Sequence, residues 1–455
     1  DVAFFGGDPD NFEYPRFNLD MALFRAYENG KPVAPQHYLP WSTTGVREGE
    51  VVFVAGNPGS TSRLNTVEHL EFLRDVQYPF DVRRLERTRA ALEVYARKGV
   101  EQERQAHDDI FGVSNSIKVR KGELRGLADA RLMERKREAE ARLRKAVAGS
   151  DRMRATYGDA WEAIAKARAS FRDDYAAYRL LEGGAGFSSI QFGIARTLVR
   201  LAAESERPNS ERLREYTDAG RSSLELRLYS PAPIYVDLET VNLATSLAFM
   251  RDELGAGHPT VKAALAGKSP EARAAELVSG TKLGDVAVRK QLAAGGRRAV
   301  GEATDPRIVL ARSVEEAARE LRKRYEDEVA GVEEQAYAKI ARAIYDVEGP
   351  KRYPDATFTL RLAYGAVRGY DEGGRRVAPF TTFGGIFDRA AKAGNVEPNR
   401  LPQRWLDRKS SLDLETPFNF VTTADTIGGN SGSPLVNAKG ELVGLNFDRN
   451  THGLV

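Results

Sequence analysis

Short apolar runs bounded by turn residues occupy the first part of the chain. Residues 22–27 (Ala-Leu-Phe-Arg-Ala-Tyr) run into the turn Glu28-Asn29-Gly30, and residues 50–56 (Glu-Val-Val-Phe-Val-Ala-Gly) precede Asn57-Pro58-Gly59. Such runs predict short strands with turns between them. From residue 65 the period changes, and long stretches rich in Ala, Glu, Arg, Leu and Lys predict helices. The last of these is read as one long helix, with Ser313 capping it and Glu316 three residues on. Val314, Ala318, Leu321, Tyr325, Val329, Val332, Ala336, Ile340 and Ile344 follow at steps of three or four, which gives one apolar face. Its pairs Glu315 with Arg319 and Glu320 with Arg324 read as surface i,i+4 supports. After Glu348-Gly349-Pro350 the strand pattern returns at residues 357–362 and continues in turn-rich sequence. Strands need partners, so the two flanking segments, 1–64 and 351–455, are expected to form one β domain that the helices of 65–350 interrupt.

Composition narrows the chemistry more than the fold. The 455 residues carry 68 Lys and Arg against 65 Asp and Glu, a net charge of +3, which gives no reason to expect nucleic acid or an anionic membrane as partner. The basic run 131–145 is interleaved with Glu134, Glu138 and Glu140 and reads as a solvated helix. With no cysteine, disulfides, thiolate metal sites and cysteine nucleophiles are excluded, and neither a metal nor a cofactor is expected. No apolar run is long enough to span a bilayer, so no membrane insertion is expected. The opening Asp1-Val2-Ala3-Phe4-Phe5 has neither an initiator methionine nor a leader pattern, and the chain is expected to be a piece of a longer protein.

The candidate chemistry lies near the other end, in Gly428-Gly429-Asn430-Ser431-Gly432-Ser433-Pro434. A serine between glycines can present its hydroxyl while backbone N–H groups point at a developing oxyanion. Pro434-Leu435-Val436 reads as a strand, Asn437-Ala438-Lys439-Gly440 as a turn and residues 441–447 as the returning strand. An α/β-hydrolase elbow needs a helix after the serine and a glycine where Ser433 stands, so a trypsin-like double β-barrel fits this context better.

The segment Gly6-Gly7-Asp8-Pro9-Asp10-Asn11-Phe12-Glu13-Tyr14-Pro15-Arg16-Phe17-Asn18-Leu19-Asp20, the serine block and Gly444-Leu445-Asn446-Phe447-Asp448-Arg449 together resemble the bacterial serine dipeptidyl-peptidases of types 7 and 11. Gly112-Val113-Ser114-Asn115-Ser116-Ile117-Lys118 and Tyr353-Pro354-Asp355-Ala356-Thr357-Phe358-Thr359-Leu360 also look like segments of that family. The resemblance implies an α+β multidomain protein: a chymotrypsin-like double β-barrel interrupted by a large inserted α-helical domain that caps the cleft. It further implies a serine exopeptidase that releases dipeptides from free amino termini of peptides.

By motif position the resemblance implies Ser431 as nucleophile, Asp20 as triad aspartate, and the N–H groups of Gly429 and Ser431 as oxyanion hole. Asn11, Phe12 and Asp448 match the residues that hold the substrate amine, and Asn115 is a looser match. Phe12 stands where the family has tryptophan, and so keeps an aromatic wall without the indole donor. Arg449 matches the position where an arginine accompanies cleavage after Asp or Glu and a glycine accompanies apolar preference; a guanidinium there can clasp a carboxylate in a bidentate pair. Read without the resemblance, Asn11 is an Asx turn after Pro9-Asp10, Asp448 a strand-end cap and Arg449 an exposed strand-end arginine. Asn430 occupies the place where trypsin-like enzymes carry an aspartate.

A serine hydroxyl needs an imidazole to take its proton. The histidines are His37, His69, His107, His258 and His452, none in a family-like motif before Asp20, so the triad histidine is expected outside this chain and the chain alone is expected to be inactive. Peptides are the expected partners, a homodimer is left open, and the resemblance implies a periplasmic or surface location. The rival readings are a trypsin-like endopeptidase and a non-catalytic peptide-binding scaffold built on the helical domain.

Overall fold

Backbone hydrogen bonding decides where the strand-like runs become strands. The computed structural model describes residues 10–350 and 353–455, so Gly6 to Pro9 of the first motif lie outside the described residues. The chain divides into two compact units: Asp1–Asn65 with Glu348–Val455, and Thr66–Val347.

Among the described residues the first unit carries ten short strands: β1 Tyr27–Glu28, β2 Lys31–Pro32, β3 Val51–Gly56, β4 Arg361–Ala366, β5 Tyr370–Glu372, β6 Arg375–Val377, β7 Phe380–Thr382, β8 Pro417–Phe420, β9 Ser433–Val436 and β10 Leu442–Asn446. Four of them form one sheet in the order β10-β9-β3-β4, while β1 with β2, β5 with β6 and β7 with β8 make two-stranded ribbons. All these pairings are antiparallel, and β3 joins the two parts of the unit by pairing Val51 to Gly56 with Ala366 to Arg361. The alternation of β3 turns Val52 and Val54 into a small core with Val367 and Leu435. A second core of Ile386, Phe387, Ala390 and Leu401 holds the helix Phe383–Lys392 beside β7 and β8, with Phe17 and Phe418 packed against it.

Two strand expectations shift. Of residues 22–27 only Tyr27 enters a strand, paired with Pro32 across a tight turn in which Asn29 and Gly30 have φ of 52° and 74°. Leu23 and Phe24 stay 79% and 95% exposed: high strand propensity yields no strand where no partner backbone is at hand. Residues 357–362 give a strand only from Arg361. Phe358, at φ 62°, instead donates its N–H to the carbonyls of Pro58 and Gly59, at 3.0 and 2.8 Å.

The second unit is helical and buries a continuous core in which Phe72, Phe80 and Phe171 each meet Tyr175 edge to face, together with Leu180, Leu198, Leu243, Leu247 and Leu310. The predicted final helix is two: Pro306–Tyr325 and Gly331–Glu348, joined by a π-turn over Glu326–Ala330. Its cap is Asp305, which accepts from Arg307 N–H at 2.9 Å; Ser313 lies inside the helix and donates to the Leu310 carbonyl. The apolar face survives the π-turn, with Val314, Ala318, Leu321, Val329, Ala336, Ile340 and Ile344 buried. Neither charge pair is a simple surface support. Glu315 is buried and accepts from both Arg319, at 2.6 Å, and Arg200, at 2.8 Å, while Arg324 pairs with Asp174. Among the described residues no helix is long and apolar enough to cross a membrane.

Candidate active site

The serine loop joins β8 to β9 and depends on two backbone positions that side chains resist. Gly429 has φ 104° and Gly432 φ 78°. A Cβ on Gly429 would come within 2.4 Å of the Asn57 carbonyl oxygen and 2.7 Å of the Gly59 nitrogen, so the loop can lie against the turn after β3 only because the residue is glycine. The Gly59 N–H donates to the Gly428 carbonyl at 2.7 Å and closes that contact.

Asn430 is the loop's internal strut. It is 2% exposed, and its Oδ1 accepts from Ile427 N–H at 3.1 Å. Its N–H donates to the Ile427 carbonyl, and its own carbonyl accepts from Ser433 N–H at 2.9 Å and from Asn446 Nδ2 at 3.3 Å. The residue standing in place of an aspartate is thus spent on local hydrogen bonds. Between the two strained glycines Ser431 is exposed, and among the described residues no acceptor takes the N–H of Gly429 or of Ser431. Two amides, one residue apart, left open beside an exposed hydroxyl are what an oxyanion would use.

The amino-terminal segment builds a second cluster. Phe12 is held at φ 68°, in the left-handed region; its N–H donates to Asp448 Oδ2 at 2.9 Å and its carbonyl accepts from Thr451 N–H at 2.8 Å. Arg16 Nη1 lies 3.1 Å from the same Asp448 Oδ2 and also donates to the Asp10 carbonyl, and its guanidinium sits 5.6 Å from the centre of the Phe447 ring. Asp448 Oδ1 accepts the N–H of Arg449 at 2.8 Å. Two residues before Asp20, the Asn18 backbone is clasped on both sides by the Asn419 side chain, each bond 3.0 Å, and the Asp10 carboxylate pairs with Arg389.

These elements surround a cavity of about 900 Å³ in the strand unit. Asp20, Asp448 and Arg449 all line it, with Asn18, Tyr370, Phe418, Asn446 and His452. The Arg449 guanidinium lies over Gly453, where a Cβ would stand 3.5 Å from Nη2; the bare backbone leaves it room. Asn11 is buried next to Phe12, whose N–H reaches the lining through Asp448. Gly429 and Ser431 are not among the lining residues; their loop meets that wall through Asn446, whose carbonyl accepts from Gly432 N–H at 2.7 Å. Asn115 belongs to the helical unit, half-buried in the helix Val100–Ala128.

Four of the five histidines have other tasks, and His37 is exposed. His69 is buried among helices and shares a 2.6 Å hydrogen bond with the Tyr337 hydroxyl; burial, helped by nearby Arg168, pushes its pKa down to about 3. His107 packs against Phe111 at 4.1 Å and His258 caps the helix Pro259–Leu265. His452 Nε2 pairs with Glu372 Oε1 at 2.7 Å and meets the Tyr370 ring edge-on. Sequence reasoning missed Arg16 and Tyr370. Arg16 sits in the middle of the quoted motif, yet nothing in its neighbourhood along the chain points to Asp448. Tyr370, whose phenol is raised by burial, accepts from Asn450 Nδ2 at 2.9 Å and stiffens the turn after Arg449.

A family model described as Peptidase S46 matches residues 1–455. The Asp/Glu-specific dipeptidyl-peptidase of Shewanella putrefaciens is 29% identical, over 98% of this chain and 66% of its own length. Dipeptidyl-peptidase 7 of Porphyromonas endodontalis is 26% identical, over 99% of this chain and 56% of its own. The chain therefore spans less than two thirds of the length of these curated relatives. The crystal structure of Porphyromonas endodontalis DPP11 in complex with the dipeptide Arg-Glu superposes with a TM-score of 0.73 at 22% identity, covering 99% of this chain and 67% of that one, a likeness of fold.

Proposed function

The chain belongs to the peptidase S46 family, and from that premise we propose that the whole protein is a serine exopeptidase releasing dipeptides from free amino termini, with Asp or Glu preferred as the second residue. The observation that carries this reading is the adjacency of Asp448 and Arg449 on the wall of one cavity that Asp20 also lines. A carboxylate beside a guanidinium offers opposite charges to the two charged groups of such a substrate, its ammonium and its acidic side chain. The names of relatives, Asp/Glu-specific dipeptidyl-peptidase among them, support the same assignment.

In this reading Ser431 attacks the carbonyl of the second residue, and the amides of Gly429 and Ser431 take up the oxyanion, each donor worth about 3 kcal/mol of transition-state stabilisation. Asp20 orients the imidazole that serves as base. Four of the five histidines present have other partners, which supports a base from sequence outside these 455 residues. Asn11, Phe12 and Asp448 receive the substrate amine, and Arg449 receives its acidic side chain. The strand unit, with the serine loop leading into the sheet β10-β9-β3-β4, is proposed as part of a chymotrypsin-like double β-barrel. A periplasmic or surface location and a homodimer complete the proposal on family resemblance.

The test is hydrolysis by the full-length protein of a dipeptide reporter with an acidic second residue, compared with the same reporter blocked at its amine. Strong preference for the free amine supports the exopeptidase; equal rates overturn it.

A further inference from the structure

We propose that Arg16 is the positioning residue for the amine anchor: it keeps Asp448 ionised and aimed, and so sets how tightly the free amino group is held. The inference rests on the assignment of Asp448 made above. Asp448 and Arg16 are both largely withdrawn from water, with side chains 11% and 7% exposed. A carboxylate in such a place tends to take up a proton unless a cation and hydrogen bonds to its charged form offset the lost hydration. Arg16 supplies the cation at 3.1 Å, and the amides of Phe12 and Arg449 supply the hydrogen bonds, one to each oxygen.

Direction matters as much as charge. A carboxylate that accepts from three fixed donors cannot rotate, so the remaining acceptor directions are set before a substrate arrives. Arg16 is itself fixed by the Asp10 carbonyl and the face of Phe447. The strained Phe12, whose amide shares Oδ2 with Arg16, ties the same segment to the chain after Asp448 through Thr451.

Arg16 is not the sole anchor of that segment. The Asn18–Asn419 clasp, the Arg389–Asp10 pair and the Thr451–Phe12 bond hold it independently. Replacement of Arg16 therefore leaves the cavity wall standing and changes what Asp448 presents. The other charged or titratable groups facing the cavity are Asp20, Arg368, Tyr370, Asp371, Asp425, Arg449 and His452, and behind Arg16 lie Asp10 and Arg389. None of these is altered by the substitution, so a change in the pH profile between variants reports on Asp448.

The experiment compares Arg16→Met, Arg16→Lys and Asp448→Asn in the full-length protein, with free-amine and amine-blocked reporters across pH and a thermal unfolding curve for each. Arg16→Met is expected to raise KM for the free-amine reporter about tenfold with kcat within about threefold, and to move the acid limb of kcat/KM up by about one pH unit, because a carboxylate without its cation protonates at higher pH. Arg16→Lys, which restores charge without the planar fork, should recover the acid limb and most of KM. A folded Arg16→Met with unchanged limb and KM overturns the proposal. So does a loss of kcat and unfolding temperature that lysine does not rescue, which marks a purely structural role. If Asp448→Asn keeps full preference for the free amine, the anchor assignment itself has failed; if it loses that preference while Arg16→Met does not, only the role of Arg16 has.

Discussion

The two units use the same chemistry, arginine against carboxylate in places shielded from water, to opposite ends. In the helical unit Arg200 grips Glu182 and Glu315, Arg319 ties Glu315 of its own helix to Glu204 of another, and Arg168 clasps Glu333 with two 2.5 Å bonds. In the strand unit Arg16 pairs with Asp448, which lines an open cavity, while Arg389 pairs with Asp10 behind it. Enclosed pairs hold helices in register, and their removal is felt as stability. A pair at a cavity wall can also act on whatever enters, and its removal should be felt as binding. Position relative to open space, not the kind of residue, separates structure from function here.

The contrast can be broken most severely at the serine. Ser431→Ala in the full-length protein should lower hydrolysis by about 10³-fold or more while leaving the unfolding curve in place, since the side chain is exposed. Retained turnover would remove Ser431 from the chemistry. Next comes the loop that carries it: Gly429→Ala must relieve both φ 104° and a 2.4 Å approach to the Asn57 carbonyl, and displacement of the amides should cost about a hundredfold in kcat. Wild-type kcat in that variant would mean that the open amides are idle.

On the enclosed side, Arg168→Met strands Glu333 and should destabilise the helical unit by about 3–5 kcal/mol in chemical denaturation. An effect under 1 kcal/mol would show that water reaches the pair. A comparable change at the cavity should instead redirect specificity: Arg449→Gly is expected to lower the preference for an acidic over an apolar second residue by about a hundredfold, read from kcat/KM on paired reporters.

A last effect concerns pH. His69 has a folded pKa of about 3 against 6.5 when free, lowered first by burial and then by Arg168, so the unfolded chain binds the proton first. Its contribution to stability is complete above about 6.5 and is lost as pH falls toward 3. His69→Gln should flatten the slope of stability with pH in that window relative to wild type, and identical slopes would show that His69 is hydrated.

Much of this architecture could be read along the chain because helices answer to local rules. The face Val314 to Ile344 keeps its period through a π-turn the sequence did not announce, and the turn Asn437 to Gly440 forms as its residues imply, Asn437 Oδ1 accepting from Lys439 and Glu441. Strands were less legible. Residues 22–27 and 357–362 have suitable side chains, but pairing is settled by distant backbone: Tyr27 and the residues from Arg361 enter strands, while Thr357 makes a single bridge to Ser60. The functional groups divide in the same way. The strain at Gly429 and Gly432 is written in the glycines themselves, whereas the meaning of Arg16 is not.

By itself, then, the sequence determined the helical faces, the hairpin that follows the serine, the glycine-framed loop and the stock of charged groups, because each depends on residues within a turn or two of one another. Only the tertiary structure decided that the Phe12 amide and the Arg16 guanidinium meet Asp448 across a separation of more than four hundred residues, and that Asp20 and Arg449 share one cavity with it. Such contacts leave no period along the chain; they exist because β3, β4 and β9 pair and bring the two distant segments of the unit into one sheet.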